Sequence, residues 1–451
     1  MLKGLEISEI SIQDIFKLED YRLEAEFHIS KRVKFDSVKG VDVESFSQYG
    51  TSKDLNENHI GFPVLRLNEF DSFFISKPAK HCDLIDTETY KSLKLKKDDV
   101  LICRTNGNPK LVGKAAIVPQ DYEYAFASYL FRIRPDINII NSATLVAFLN
   151  SRYGRLEIEK YSMVGNQANF SPAKFRQISV PIFSKQFNVE VEKLVYKSFD
   201  LSKEGKKYYS EAEEILLSEL GIKDWQPDNA PVNIKNLKDS FLASGRLDAE
   251  YYQTKYDEIE NAVTGFKNGY EKIGNLFAQN TEVCDYKESA YNYIEIGDVN
   301  IGDGSANFNL ISTNELPDNA KRVLHKNDIL ISKVRPYRGA VAIIDFDDEK
   351  LIGSGAFTVL QENSTYKREV LQILLRTKIY KDWLLKWNVG SSYPVIKDED
   401  ILNLPIPILP MPIQETISAK IQESFALKAE SKRLLEEAKL MVEREIEKGG
   451  E

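Results

Sequence analysis

The sequence contains no apolar run of about 18 residues, which excludes a membrane-spanning helix. Its opening, Met1-Leu2-Lys3-Gly4-Leu5-Glu6, has no apolar core and carries acid early, against a secretory signal. Only three cysteines occur, Cys82, Cys103 and Cys284, scattered singly and without CxxC spacing. They exclude a disulfide framework and fit a reducing cytoplasm. The four histidines, His28, His59, His81 and His325, lack the spacing of a zinc site. No GxSxG elbow and no Asn-Pro-Pro-Tyr or Asp-Pro-Pro-Tyr tetrapeptide is present, so neither a serine hydrolase nor an amino-methyltransferase centre is carried here. Gly107 to Ala115 approaches a phosphate-binding loop, but its glycines are spaced too widely and Ala115 stands where Ser or Thr must bind magnesium. Asp318, Asp348 and Lys350 hint at a metal-dependent nuclease, yet residues 345–350 read as a charged turn and the first half has no equivalent. The expectation is a chain with no catalytic residue, no metal site and no cofactor of its own.

What the sequence does have is itself, twice. Arg22-Leu23-Glu24-Ala25-Glu26-Phe27 returns as Arg246-Leu247-Asp248-Ala249-Glu250-Tyr251. Residues 95–102, ending Asp98-Asp99-Val100-Leu101-Ile102, return as 324–331, ending Asn327-Asp328-Ile329-Leu330-Ile331. Val180-Pro181-Ile182-Phe183 returns as Ile406-Pro407-Ile408-Leu409, and from there the offset stays at 226 of the 451 residues. Solenoid units run about 20–50 residues, so this is a duplicated domain.

Each half begins with short β-like runs bounded by Gly, Asn and Pro. They include residues 63–67, 100–103, 115–118 and 129–133, then 293–296, 329–332, 341–344 and 356–359. A helical stretch follows (142–161; 367–387), then a polar loop and a proline-marked strand. Each half ends in a long proline-free heptad helix, the first over about 188–222. Its seam positions are Val191, Ser198, Gly205 and Ala212, with Leu194, Leu201, Tyr208 and Ile215. The second helix repeats them as Ile417, Ser424, Ser431 and Ala438, with Lys420, Leu427, Leu434 and Met441. Small residues along one seam predict two closely packed helices. Gly221 is the expected C-cap and Trp225-Gln226-Pro227 a stop. The expected division is 1–185, a first domain; 186–223, a long helix; 224–235, a linker; 236–411, a second domain; and 412–451, a second long helix. The fold class is mixed α+β: two similar domains in pseudo-twofold arrangement, joined by two long antiparallel coiled-coil helices.

The net charge of −9 argues weakly against nucleic acid, but its distribution argues the other way. Residues 91–114 carry seven Lys/Arg against two Asp, and the equivalent 321–338 carry six against one. Each is a local +5 on an acidic chain, as a specific contact face often is. Within them lie loops suited to bases and phosphates: Arg104, Thr105, Asn106, Asn108, Lys110 and Lys114 in one half, Lys333, Arg335, Tyr337 and Arg338 in the other. Arg pairs bidentately with guanine, Asn with adenine, and Lys with phosphate. A second pair of polar tips precedes the long helices, with Asn166, Gln167 and Asn169, and with Ser391, Ser392 and Tyr393. Arg66 and Asn68 sit near a further strand end. The frames repeat while the tips differ, so the two halves are expected to read different sequences.

The Arg-Leu-Asp-Ala-Glu-Tyr-Tyr segment at 246–252 with its degenerate partner at 22–28, the Lys-x-Asp-(Ile/Val)-Leu-Ile strands, the glycine-led loops at 165 and 390, and the Pro-Ile strands feeding long helices recur in one order. In that order the chain resembles the specificity subunit of type I restriction–modification systems, over nearly its whole length. The resemblance implies two target-recognition domains reading double-stranded DNA as two half-sites, with a spacer set by the helices. It implies two methyltransferase subunits, which carry S-adenosylmethionine and methylate adenine N6, and optionally two restriction (motor–nuclease) subunits, in the cytoplasm and without a membrane. Partner contacts are expected on the long helices, at Glu190, Glu211, Glu437 and Lys439. The specificity subunit of a type IIB-like system, with a fused nuclease–methyltransferase partner, has a similar sequence. A two-headed protein-binding scaffold without DNA is the alternative of another class.

Overall fold

A computed structural model describes residues 11–16, 35–162, 168–228, 230, 232–345, 347–362, 366–389 and 393–449. The chain forms two compact units, Met1–Ser202 with Ala429–Glu451, and Lys203–Lys428. The division falls inside both long helices rather than at the linker.

In the first unit a six-stranded sheet runs in the order Glu44–Tyr49, Leu130–Pro135, Val100–Cys103, Ala115–Ile117, Phe74–Ile75, Phe70–Asp71. A three-stranded sheet, Ala125–Phe126, Phe62–Leu65, Lys80–Cys82, lies with it in the unit. The second unit repeats this as Phe277–Gln279, Phe357–Glu362, Ile329–Ser332, Val341–Ile343, plus a four-stranded sheet, Asn309–Ser312, Ala290–Ile294, Leu351–Ser354, Ala320–Val323. In both, the second sheet contains one parallel pair, Phe62–Leu65 with Ala125–Phe126 and Ala290–Ile294 with Leu351–Ser354. The mixed α+β class read from the sequence is what the chain adopts.

The central strands show why continuous apolar runs were needed. Val100 and Ile102 enter one core cluster, with the helices 142–161, while Leu101 and Cys103 enter a second. Ile329 and Ile331 likewise serve one cluster and Leu330 another. A strand alternates its faces, so one covered on both sides must be apolar at every position.

The repeated pair before each strand, Asp98-Asp99 and Asn327-Asp328, is a turn. Asp98 and Asn327 take left-handed backbones, φ 68° and 76°. The next carboxylate closes the turn: Asp99 Oδ2 accepts from Lys96 N at 2.9 Å, and Asp328 Oδ2 from His325 N at 2.9 Å. Asn and Asp tolerate this conformation, which explains the motif without a functional role.

The predicted helix over 142–161 is two helices, Ser142–Asn150 and Arg152–Tyr161. That over 367–387 is Arg368–Arg376, Lys378–Trp383 and a 3-10 turn, Leu384–Trp387. A buried hydroxyl makes each break. Ser151 Oγ donates to Phe148 O at 2.6 Å while the residue caps the next helix, and Thr377 Oγ1 donates to Leu374 O at 2.7 Å and caps likewise. Periodicity alone does not reveal such caps.

The long helices are Lys185–Glu219 and Met411–Lys448. The first ends at Gly221, φ 70°, with Ile222 N donating to Leu217 O at 3.0 Å, a glycine-capped terminus as expected. Within the first unit, residues of the two helices meet antiparallel: Ser198 Oγ donates to Ser431 O at 2.9 Å and Ser431 Oγ to Ser198 O at 2.8 Å. Within the second unit, Ser424 Oγ donates to Gly205 O at 2.6 Å. The small seam positions are buried in every case. The second seam differs from expectation: Leu194, Leu201, Tyr208 and Ile215 are half-buried, whereas Val195, Leu216, Ile421, Leu435 and Val442 are buried. At several turns the buried residue falls four after the small one rather than three, but Leu434, at the expected position, is buried too, and Ser202 and Tyr209, four after Ser198 and Gly205, are only half-buried. Backbones this close leave room only for a narrow strip, and a helix of 3.6 residues per turn drifts off a strict heptad.

Candidate nucleic-acid interface

In the first unit the strand Val100–Cys103 delivers a loop whose course is set by its own polar groups. Asn106 Oδ1 accepts from Asn108 N at 2.8 Å, and Asn108 Oδ1 accepts from Lys110 N at 3.0 Å, capping the 3-10 turn Pro109–Leu111. Arg155 staples the far side, donating to Val112 O at 2.8 Å and Lys110 O at 3.2 Å. Thr105 and Asn106 pair antiparallel with Asn169 and Ala168, and Phe170 N donates to Arg104 O at 2.8 Å. Two loops remote in sequence are thus one ribbon. Asn108 and Lys110 are exposed, and Lys110 and Lys114 have no ion pair among the described residues.

Arg104 donates Nη1 to Ser128 O at 3.3 Å and sits 5.1 Å over the ring of Tyr49. Tyr49 and Tyr129 are both exposed. They are functional candidates that sequence reading missed. Tyr129 was assigned to a strand, and Tyr49 reaches the loop only because its strand pairs with Leu130–Pro135.

The second unit repeats the frame with different heads. Val334 bridges Val395 antiparallel, Ile396 N donates to Lys333 O at 3.0 Å, and Arg335 N donates to Pro394 O at 2.8 Å. The turn Pro336–Arg338 stands where Pro109–Leu111 stands in the first unit. Arg335 lies 5.5 Å over the ring of Tyr393. Tyr337, Arg338 and Tyr393 are exposed. Lys333 is committed inward, 3.0 Å from Asp398, whose carboxylate also accepts from Thr358 Oγ1 at 2.6 Å.

The Arg246–Tyr252 motif buttresses this loop. Arg246 Nε and Nη2 pair with Asp248 at 2.8 and 2.5 Å, Nη2 also donates to Asn388 O at 2.9 Å, and the guanidinium lies 4.6 Å over Tyr251. Asn388 Oδ1 in turn accepts from Val395 N at 2.9 Å. Asp248 is held below the ordinary carboxylate range by that hydrogen bond from Arg246. The partner copy at 22–28 lies outside the described residues, as do Asn166, Gln167, Ser391 and Ser392.

Arg66 is spent within its own turn, its Nη2 2.8 Å from Glu69 Oε1 and its backbone N 2.7 Å from Oε2. Asn68 is exposed on that turn. Of the proposed partner contacts, Glu190 is exposed and accepts only from Gln186 at 3.0 Å among the described residues. Glu211 pairs with Lys420 at 2.5 Å, Glu437 with Arg433 at 2.9 Å, and Lys439 with Glu436 at 2.6 Å. Asp348 accepts from Asn292 at 2.5 Å and from Lys350 N at 2.7 Å, as a charged turn does. Burial pushes the Cys103 thiol up to about 11, so it stays protonated beneath the loop.

Residues 270–439 match the type I restriction modification DNA specificity domain. The EcoDI specificity subunit of a type I restriction enzyme from Escherichia coli is 28% identical over 107 residues, 24% of this chain and 23% of that protein. The EcoKI specificity subunit from Escherichia coli strain K12 is 30% identical over 92 residues, 20% of each. The matches thus span about a fifth to a quarter of these relatives. A type I restriction-modification S subunit from M. genitalium superposes over 94% of this chain and 98% of its own, with a TM-score of 0.45 and 10% identity. The match to the type I restriction modification DNA specificity domain thus falls on the second repeat of this chain, in line with the resemblance read from its repeated motifs.

Proposed function

We propose that this chain is the DNA sequence-specificity subunit of a type I restriction–modification system. It reads a bipartite, asymmetric target through two unlike half-sites. It docks two adenine-N6 methyltransferase subunits, which carry the S-adenosylmethionine, and optionally two restriction subunits. Its own part is recognition, without a catalytic step.

One observation carries this reading. In each unit, two polar loops far apart in sequence meet at one strand bridge and present cations beside exposed tyrosines, on a shared frame with different residues. A shared frame gives two readers one docking geometry, and different heads give them different bases. The protein partner has surface to meet. Glu190 is exposed on the first long helix, and Val232, Ile234, Leu237, Leu242 and Leu247 are exposed on the segment leading into the Arg246–Tyr252 motif.

The test is selection from a pool of randomised DNA duplexes by the chain purified with its native partners. Two short blocks of different sequence at fixed separation are expected. Retention should fall with salt on a log–log slope of roughly −0.9 per phosphate contacted. Mass spectrometry should count two methyltransferase copies per chain. No enriched sequence and a shallow slope would leave the protein-binding scaffold, and a fused nuclease–methyltransferase partner would move the assignment to a type IIB-like system.

A further inference from the structure

We infer that Arg335 reads a guanine in the half-site of the second unit, through paired hydrogen bonds to O6 and N7 in the major groove. The inference rests on the DNA-reading function proposed above and adds the residue and the base.

Backbone comes first. Arg335 has φ 51° and ψ 54°, the left-handed region that side chains other than glycine rarely enter. Such a residue persists only where its surroundings over-determine it, and such positions cluster at binding sites. Here the Val334–Val395 bridge, the bond from Arg335 N to Pro394 O at 2.8 Å and that from Arg338 N to Arg335 O at 3.0 Å fix it from both sides. An arginine in place of the glycine this backbone favours means that the side chain is wanted.

The head group comes next. It lies 5.5 Å over Tyr393, which is 48% exposed. A ring beneath a guanidinium fixes its plane and lowers the entropy lost when the plane meets a partner. No carboxylate or carbonyl among the described residues takes its donors. The other cations of this loop differ in one respect each. Lys333 is committed to Asp398 at 3.0 Å. Arg338 is unpaired among the described residues but exposed, with no ring beneath it, which suits a phosphate. Only Arg335 of the three is both held and unspent. A planar fork with fixed orientation matches guanine, which presents two acceptors side by side.

The test is the same duplex selection on the complete complex, with Arg335→Ala, Arg335→Gly and Arg335→Lys. Wild type should enrich guanine at one position of one half-site. Arg335→Ala and Arg335→Gly should each lose preference there by roughly 5- to 150-fold, with the other half-site unchanged. Arg335→Lys should keep overall affinity but blur that position. Misfolding is no escape, because glycine suits this backbone and Arg335→Gly should melt no lower than wild type. Equal weakening on every sequence would make Arg335 a phosphate contact and overturn the inference while leaving the DNA-reading function standing. A wild-type pool with no enriched sequence would overturn both.

Discussion

The duplicated turn offers a controlled comparison, because one aspartate does the same local job twice in different company. Asp99 is fully buried and faces Arg132, itself 1% exposed, at 2.9 Å, with Arg134 at 2.6 Å. Asp328 is as buried, but has no Arg or Lys partner among the described residues: it accepts from Asn280 Nδ2 at 3.0 Å and His325 N at 2.9 Å, with the half-exposed His325 ring 3.7 Å away. Asparagine in either place still closes the turn through its oxygen, so the two substitutions differ in the charge they remove. Arg132 retains Lys94 O, Ser92 O and Gln48 Oε1, but its Nε already lacks a partner, and its charge would stand buried and without a carboxylate. Removing one member of a buried pair costs roughly 3–5 kcal/mol. Arg134, 37% exposed, adds little. Asp328→Asn weakens the bonds from Asn280 and His325, about 1 kcal/mol. Asp99→Asn should therefore shift the urea midpoint of its unit by roughly 1–2 M, several times the shift of Asp328→Asn in the other. The units can be followed separately, since Trp225, Trp383 and Trp387 are the chain's tryptophans and all lie within 203–428. Their fluorescence reports the second unit, and amide hydrogen exchange of residues 100–103 reports the first. Equal shifts from the two substitutions would refute the reasoning, because the Arg132 charge would then not depend on Asp99.

Three further outcomes follow from the geometry. A Cβ at Gly205 would lie 3.0 Å from Ser424 O and 3.2 Å from Lys428 Cγ, so Gly205→Leu should destabilise the second unit by roughly 1–3 kcal/mol despite better helix propensity, read from the tryptophan melting curve. Charge reversal at Arg104 and Lys110 should erase the half-site read by the first unit in the duplex selection and spare the other; equal loss at both would refute two independent readers. Arg246→Ala removes the bonds to Asp248 and Asn388 and should weaken the second half-site roughly 10-fold while the first stays readable, which a footprint of each half-site would show.

The candidate site was legible in part. Basic loops after Cys103 and Ser332 stood out because charge collected at equivalent places on an acidic chain. Which of those cations remain available did not. Arg66 reads as free until Glu69 is found closing its turn, and Lys333 until Asp398 arrives from 65 residues away. Tyr49 was invisible as a candidate because strand pairing, not sequence distance, sets it beneath Arg104.

By itself the sequence determined the duplication, the mixed α+β class, most of the strands (that expected over 293–296 is Ala290–Ile294, with a 3-10 turn from Ile296) and the small-residue seam of the long helices. Each rests on local chemistry: period, turn residues, and size at a repeated position. Tertiary structure alone decided the helix breaks at Ser151 and Thr377, the shift of the buried seam, and the meeting of 104–110 with 168–169 and of 333–338 with 393–395. These depend on which groups satisfy one another's hydrogen bonds once distant segments are close, and no periodicity along a chain encodes that.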